Sequence, residues 1–249
     1  MKYWFIVPAA GSGSRFGSER PKQYAPLAGS TVIERTLDRL LELEAQALVL
    51  AINPDDRYWQ SLGISTHPKI RTSAGGAERA DSVYLALKSI AAEADEMDWV
   101  LVHDVARPCV RVADIRLLIE TLSGHPVGGL LATPVSATLK RVGDSQYSAT
   151  AKVKTAGSVL ETVSREHLWA AATPQMFRFG LLMKALQECR DAGISPTDEA
   201  GAIERLGLQA EIIEGHSDNL KITHGADLAL AEAVLAYQRQ QQQQQQKEQ

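Results

Sequence analysis

Cysteine is scarce in this sequence, which has only Cys109 and Cys189 among its 249 residues. Two thiols cannot build a disulfide framework, and they fall short of a zinc cluster. A chain of this length buries enough apolar surface to fold without such cross-links. The low cysteine count also suits a reducing compartment, so we expect a cytoplasmic protein.

Positive charge is not in excess either, since 26 Lys and Arg residues face 30 Asp and Glu residues, a net charge of −4. General nucleic-acid binders usually carry a basic excess, so no nucleic-acid partner is expected. A small anionic ligand stays compatible, because net charge does not describe the charge of a pocket.

Long hydrophobic runs are also missing. The first apolar run, residues 3–7, is too short to cross a bilayer. It lacks the basic segment and small-residue cleavage site of a signal peptide. We therefore expect no membrane partner.

Strand and helix patterns alternate along most of the chain. Apolar runs typical of buried parallel strands occupy residues 3–10, 47–52, 99–103 and 129–135. Amphipathic patterns between them predict helices over 31–45, 79–94 and 112–122. This alternation predicts an α/β, Rossmann-like three-layer fold with a mainly parallel twisted sheet.

The last third of the chain predicts helices over 179–191, 198–206 and 226–239, and strands over 209–213 and 219–222. We expect residues 1–239 to form a single domain. The glutamine-rich stretch 240–249 is predicted to be a disordered tail.

Residues 138–165, called the arm below, interrupt the alternation. They include few large apolar residues, while 138–142 and 158–163 favour strands and the glycines between favour turns. We predict a β-hairpin that projects from the sheet. Because such a hairpin cannot bury its own surface, we expect it to pack against a second copy of the chain.

A glycine-rich loop with the sequence PAAGSGSRFG follows the first predicted strand, over residues 8–17. Glycines let backbone N–H groups approach phosphate oxygens, although the spacing is neither a dinucleotide fingerprint nor a P-loop. Arg15 and Lys22 add two cations suited to a polyphosphate. The loop is therefore a candidate phosphate site, with a flexible surface turn as the alternative.

The third predicted strand ends at His103 and Asp104, at the edge where open α/β sheets bind ligands. Beside a phosphate loop, the Asp104 carboxylate is a candidate Mg²⁺ ligand. A catalytic base and a helix cap are the alternatives. We interpret His103 as a packing residue and Cys109 as a buried thiol.

Seven motifs follow one another along the chain: PAAGxGxR…PKQ from Pro8, GGxERxDSV from Gly75, HDxARP from His103, TLKR from Thr138, TPQ from Thr173, TDEA from Thr197 and NLKIT from Asn219. In this order they resemble the family of 2-C-methyl-D-erythritol 4-phosphate cytidylyltransferases, over residues 3 to about 237. The resemblance implies a fold of the nucleotide-diphospho-sugar transferase type.

The resemblance also implies a reaction: CTP and methylerythritol phosphate give a CDP-alcohol and diphosphate, with Mg²⁺, in the non-mevalonate route to isoprenoids. It implies Arg15, Lys22, Arg165 and Lys221 as catalytic residues and Asp104 as the Mg²⁺ ligand. The CTP-binding residues that it implies are Ala9, Ala10, Gly11, Gly13, Arg15, Lys22, Gly76, Ser82 and Asp104.

For the second substrate, the resemblance implies Arg107, Thr138, Arg165, Thr173, Thr197 and Lys221. In this family the arm crosses to the other subunit, so a homodimer with shared active sites is implied. By pattern alone, the simpler interpretations are favoured: Thr197 as a helix cap, Lys221 as a solvated strand residue and Arg165 as an exposed cation.

Two other functions stay open. A pentitol-phosphate cytidylyltransferase, such as one acting on ribitol 5-phosphate, resembles this pattern throughout its CTP half. A nucleotide-binding module without turnover is expected to lack Arg15, Lys22 or Asp104, and the sequence has all three.

Overall fold

The computed structural model describes residues 1–11, 16, 20–143 and 157–247. Within these residues the strands are β1 (Tyr3–Pro8), β2 (Pro26–Leu27), β3 (Ser30–Thr31), β4 (Ala47–Ile52), β5 (Ile70–Ala74), β6 (Trp99–Val102), β7 (Gly128–Pro134), β8 (Leu139–Val142), β9 (Val159–Val163), β10 (Trp169–Arg178) and β11 (Glu211–Glu214). The α-helices are α1 (Val32–Leu41), α2 (Arg79–Ile90), α3 (Val112–Leu122), α4 (Phe179–Asp191), α5 (Glu199–Arg205) and α6 (Asp227–Lys247).

Seven of these strands form one sheet in the order β11-β7-β10-β6-β1-β4-β5. β10 runs antiparallel to both of its neighbours, whereas the other described pairs in this sheet are parallel. The predicted α/β fold with a mainly parallel sheet is confirmed.

The side chains of β1 enter two cores, one on each face of the sheet. Phe5 and Val7 pack in the core that α1 and α3 cover, while Trp4 and Ile6 pack in the core under α2, α4 and α5. A strand buried on both faces reads as a continuous apolar run, which is why β1 was predictable. The predicted three layers are present.

One edge of the sheet gathers the ends of several elements. The parallel strands β1, β4, β5 and β6 all end there, and α2 starts after β5, where the Asp81 carboxylate accepts the Glu78 N–H (3.3 Å). β10 passes this edge from the opposite direction, since Gln175 pairs with Val102. Loops that follow the strands therefore converge here, as in other open α/β sheets.

The short strands β2 and β3 were not predicted from the sequence, and neither were two strands of the seven-stranded sheet, β5 and β10. β5 (IRTSA) is partly exposed and has one large apolar residue, so it lacks the signal of a buried strand. β10 contains Pro174, which argues against a central strand because proline cannot donate to the ladder. The pairing of β10 with β7 shifts in register between Ala171 and Gln175, which accommodates the proline.

The predicted strand over 219–222 is wrong. This segment is irregular and is attached to the loop after β6: the Ile222 N–H donates to the Ala106 carbonyl (2.8 Å), and Arg107 Nη1 donates to the Asn219 carbonyl (2.6 Å). A short apolar run does not by itself distinguish a strand from a buried irregular segment.

Residues 240–247, predicted to be disordered, instead continue α6 through Lys247. Glutamine is a good helix former, and adding residues to an existing helix avoids the cost of nucleation. Residues 248 and 249 lie outside the described residues. Neither α6 nor any other described helix is long and apolar enough to cross a membrane.

The arm contains the two strands predicted for it. β8 and β9 pair antiparallel with each other in a separate sheet, with Leu139 opposite Val163. Val159 and Leu160 expose 59% and 66% of their surface. Residues 144–156 lie outside the described residues, so the projection of the arm and its packing against a second copy stay predictions.

Candidate active site

A cavity of about 660 Å³ opens at the edge where β1, β4, β5 and β6 end. This position is the usual ligand site of an open α/β sheet. Eight of the residues singled out in the sequence line it: Ala9, Ala10, Gly11, Lys22, Gly76, Ser82, Asp104 and Lys221. Gly13 and Arg15 lie outside the described residues.

The glycine-rich loop is tied down by Gln23, which is buried. Its Nε2 donates to the carbonyls of Ala9 (2.8 Å) and Gly11 (3.2 Å), one at each end of the turn that leaves β1. The adjacent Lys22 lies on the cavity wall, where its Nζ donates to the Ile222 carbonyl (3.1 Å). Gln23 therefore fixes both the turn and the starting point of a cationic side chain.

The opposite wall of the cavity requires a glycine. A Cβ on Gly75 would lie 2.1 Å from the Ala10 Cβ, which is far below van der Waals contact. Beyond it, the Gly76 N–H donates to Ser82 Oγ (3.0 Å), which in turn donates to the Glu78 carbonyl (3.1 Å). This close packing leaves no room for a side chain at residue 75, and it holds the segment before α2 against the turn after β1.

Asp104 is the central charge of the site. Its side chain is 9% exposed, and its oxygens contact Arg79 Nε at 2.8 Å and Lys221 Nζ at 2.6 Å. Arg107 Nε lies 3.8 Å away. Burial opposes ionisation of Asp104, but the charges of Arg79 and Lys221 outweigh it and hold its pKa well below the usual range. Asp104 is therefore a carboxylate at any physiological pH.

Arg79 has a second carboxylate partner that the sequence did not single out. Its Nη1 and Nη2 donate to the two oxygens of Glu199 at 2.6 and 3.0 Å, a bidentate pair. The Glu199 side chain is 1% exposed. Burial works against the charge of Arg79, but the two carboxylates outweigh it and raise its pKa.

His103 and Thr173 hold the backbone of Asp104 in place through a chain of hydrogen bonds. The Asp104 N–H donates to Thr173 Oγ1 (3.1 Å), and that hydroxyl shares a hydrogen bond with His103 Nδ1 (3.0 Å). The other ring nitrogen of His103 contacts the Arg107 carbonyl (3.1 Å). Burial lowers the pKa of His103 to about 4, so the ring is neutral at physiological pH. The interpretation of His103 as a packing residue fits this position.

Lys221 reaches the cavity from the irregular segment over 219–223. Three contacts fix that segment: Ile222 to Ala106, Arg107 to the Asn219 carbonyl, and Asn219 Nδ2 to the Thr173 carbonyl (2.8 Å). The Lys221 side chain keeps 41% of its surface exposed. Lys221 is therefore not a strand residue, and it lies on the cavity wall beside Asp104; its role in the reaction stays a prediction.

The other residues expected at the alcohol-phosphate site are divided. Thr173 is buried and Arg107 partly buried beside Asp104. Thr197 is exposed at the residue before Asp198, which caps α5 through the Gly201 N–H (2.9 Å). Thr138 and Arg165 are exposed at the base of the arm, where Arg165 donates to the Ser136 carbonyl. None of these five residues lines the cavity of its own chain, although Thr173 and Arg107 lie directly beside Asp104.

Sequence reasoning missed three residues that organise the site: Gln23, Arg79 and Glu199. All three stand inside the seven sequence motifs. A signal for Arg79 was present, because an arginine at the first position of a helix lies at the positive end of the helix dipole. Such a cation needs a compensating anion nearby.

The donor set restricts which metal the site can hold. Among the described residues, no group of three or more His, Cys, Asp and Glu side chains could hold a metal ion. Asp104 supplies one ionised carboxylate on the cavity wall. Mg²⁺ is often bound by one or two carboxylates together with substrate phosphates. The residues therefore fit Mg²⁺ that arrives with a polyphosphate, and do not fit a metal held by protein groups alone.

Comparison with known proteins matches residues 4–237 to the family IspD: 2-C-methyl-D-erythritol 4-phosphate cytidylyltransferase. The chain belongs to this family. A cytidylyltransferase of that name from Hahella chejuensis is 49% identical over 235 residues, 94% of this chain and 93% of the relative. One from Ectopseudomonas mendocina is 45% identical over 242 residues, covering 96% and 98%.

The fold agrees with that of solved members of the IspD family. The crystal structure of the Francisella tularensis 2-C-methyl-D-erythritol 4-phosphate cytidylyltransferase has a TM-score of 0.77 and is 34% identical, covering 94% of this chain and all of that chain. The IspD match spans the full set of cavity residues, from Pro8 to Thr223.

Neutral His103 makes stability depend on pH. Because its pKa is about 4 in the folded protein, against an ordinary value of 6.5, the unfolded chain binds the proton first as pH falls. We expect the free energy of unfolding to drop by about 3 kcal/mol between pH 6.5 and 4 through this group. Denaturant titrations across this range should show a shallower pH dependence for His103→Gln than for wild type.

An exposed histidine provides the control for this experiment. His224→Gln should keep the wild-type pH dependence, since His224 is exposed. If His103→Gln retained the same slope as His224→Gln, the burial of a neutral His103 would be contradicted.

Proposed function

We propose that this chain transfers CMP from CTP to 2-C-methyl-D-erythritol 4-phosphate, as a Mg²⁺-dependent homodimer of the cytoplasm. The observation that carries this proposal is the meeting of Lys22, Asp104 and Lys221 in one cavity beside a glycine-rich loop. The names of the relatives identify the substrates. A cytoplasmic location suits two buried cysteines that are both free thiols.

The reaction requires placement of charge more than acid–base chemistry. A phosphate oxygen of methylerythritol phosphate attacks the α-phosphorus of CTP, and the bond from that phosphorus to the bridging oxygen breaks to release diphosphate. The nucleophile is already deprotonated at neutral pH, so no side chain has to take its proton. Rate enhancement then comes from alignment and from cations at the oxygens where charge builds up.

The cavity residues divide these tasks. The turn over Ala9, Ala10 and Gly11 with Gly76 and Ser82 lines the part of the cavity that takes the nucleotide, and Lys22 contacts its phosphates, together with Arg15 of the same loop. Asp104 would hold Mg²⁺, which supplies charge neutralisation on the phosphates. Lys221 and Arg107 lie 2.6 and 3.8 Å from the same Asp104 oxygen, Oδ2, and we assign them to the phosphate of the second substrate.

The arm supports a site shared between two subunits. Thr138 and Arg165 do not line the cavity of their own chain, and β8 and β9 pair only with each other among the described strands. Val142, Val159 and Leu160 are exposed on this small sheet. Exposed apolar clusters mark interaction surfaces. We therefore place Thr138 and Arg165 at the cavity of a second copy.

The decisive experiment measures diphosphate release from CTP with each alcohol phosphate in separate reactions. Turnover with 2-C-methyl-D-erythritol 4-phosphate, and little with ribitol 5-phosphate, would support the proposal. Turnover of ribitol 5-phosphate alone would overturn the substrate and leave a pentitol-phosphate cytidylyltransferase. Absence of turnover with both, by protein that still binds CTP, would favour a nucleotide-binding module.

Lys22→Ala should leave the fold intact and lower kcat by about 10²–10³-fold, because one preorganised charge at the reacting phosphates is lost. Steady-state diphosphate release measures the effect. Lys184→Ala on α4 is the matched control, since that lysine side chain is 66% exposed and does not line the cavity. Equal turnover in both variants would remove Lys22 from the reaction.

Mixing two inactive variants tests the shared site. Lys22→Ala and Arg165→Ala, unfolded together and refolded, should form mixed dimers in which one of the two sites has both native residues. Random pairing predicts recovery of about a quarter of wild-type activity. Each variant refolded alone is the control. If subunit exchange is demonstrated and activity stays at the level of the controls, the arm does not complete the partner's site.

A further inference from the structure

A closed ring of polar contacts lies beside the cavity. It links the end of β6 to β10, β10 to α5, α5 to α2, and α2 back to the end of β6. Asp104, after β6, binds Thr173 on β10 through its backbone N–H, and Gln175 of the same strand binds α5. Gln175 Nε2 donates to Asp198 Oδ2 (2.9 Å), and its Oε1 accepts the Ala200 N–H (2.8 Å). Glu199 lies between these two anchored residues.

Arg79 closes the ring. It begins α2, and its guanidinium connects Glu199 on α5 with Asp104 after β6, using Nη1 and Nη2 for the first and Nε for the second. Three of its nitrogens are therefore used in fixed directions. Because a bidentate arginine pair defines an orientation as well as a distance, Glu199 sets where the Arg79 Nε points.

The location of Glu199 argues for a role in orienting Arg79. A buried carboxylate is costly unless a cation pairs with it, and both of its oxygens accept from Arg79. Glu199 does not line the cavity, so it has no direct path to a bound nucleotide. Arg79 also contributes little as a helix residue, since a cation in the first turn opposes the helix dipole.

We propose that Arg79, oriented by Glu199, is a positioning residue that fixes the Asp104 carboxylate for cytidylyl transfer. This inference rests on the proposed function. Lys221 is the other close partner of Asp104, but its side chain is 41% exposed and ends in a rotatable ammonium. Among the described contacts of Asp104, the one with Arg79 is the only one whose direction is set by a second buried ion pair. Without Glu199, the Asp104 oxygen that meets Arg79 would lose its fixed orientation.

The ring of contacts connects the element expected at CTP with the element expected at the second substrate. α2 carries Ser82 on the nucleotide side of the cavity, while α5 follows Thr197, which is expected at the second substrate. The Arg79–Glu199 pair joins these two elements directly. Its loss should therefore affect turnover by the assembled complex more than the binding of CTP alone.

The test compares Glu199→Gln, Arg79→Lys and the double variant with wild type. Glu199→Gln keeps the shape and removes the charge, so we expect kcat to fall about 10–100-fold, the range for losing a residue that orients a metal ligand. The affinity for CTP, measured by calorimetry with Mg²⁺, should change much less. The double variant should be no slower than the slower single variant, since both changes interrupt one contact path.

A buried carboxylate at the other end of the same strand provides the control. Asp98 precedes β6, accepts the Lys2 N–H (2.8 Å) and Trp4 Nε1 (3.2 Å), and does not line the cavity. Asp98→Asn should lower the melting temperature and keep the wild-type kcat per folded molecule. A merely structural Glu199 would behave in the same way.

The outcomes separate the inference from the proposed function. Wild type is assayed first, and a wild type without cytidylyl transfer would overturn both. If wild type is active, a Glu199→Gln kcat equal to that of Asp98→Asn would overturn only the positioning role. Should Glu199→Gln fail to fold, Arg79→Lys carries the same test, because it keeps the charge and loses the bidentate geometry; unchanged kcat there would overturn the inference.

Discussion

The ionised carboxylate of Asp104 is the constraint on which the active site depends. A buried carboxylate without a cation would protonate, and a protonated group could neither bind Mg²⁺ nor hold two cations in place. Arg79 comes from α2 and Lys221 from the segment over 219–223, so keeping Asp104 charged requires both elements to close on the end of β6. Folding and the chemistry of the cavity thus share one electrostatic condition.

The charge of the cavity differs from that of the whole chain. The sequence has a net charge of −4, yet the proposed ligands are a triphosphate and a sugar-alcohol phosphate. The described cavity residues include three cations, Lys22, Arg79 and Lys221, and two acidic residues, Glu78 and Asp104. Arg79 is paired with two carboxylates, Glu199 and Asp104, whereas Lys221 is paired with Asp104 alone and stays 41% exposed. The cations that we propose for phosphate contacts are therefore the two lysines, together with Arg15 of the loop.

Sequence periodicity predicted the helices and strands that bury apolar side chains at regular intervals. The sequence motifs contain most of the residues that line the cavity. The helices α3 and α4 match their predicted bounds because each has an apolar stripe with a clear start and end. β10 was missed because Pro174 is tolerated only through a local shift in pairing. The Arg79–Glu199 pair joins residues 120 positions apart, and no local pattern reports such a contact. The pair can be recognised only in the folded structure, where contacts between β10 and α5 place Glu199 beside Arg79.

Arginine and lysine differ in how firmly they are held in this site. The reaction moves negative charge from the α-phosphate to the leaving diphosphate, so a cation that can shift its position and a cation that holds Asp104 in place serve different purposes. A lysine ammonium on a flexible stem can change partners at little cost, and Lys221 is half-exposed beside Asp104. A guanidinium fixed by two carboxylates cannot do so without breaking three hydrogen bonds. We therefore propose complementary roles for the two cations on this carboxylate: Arg79 keeps it in place, and Lys221 can shift toward the phosphates.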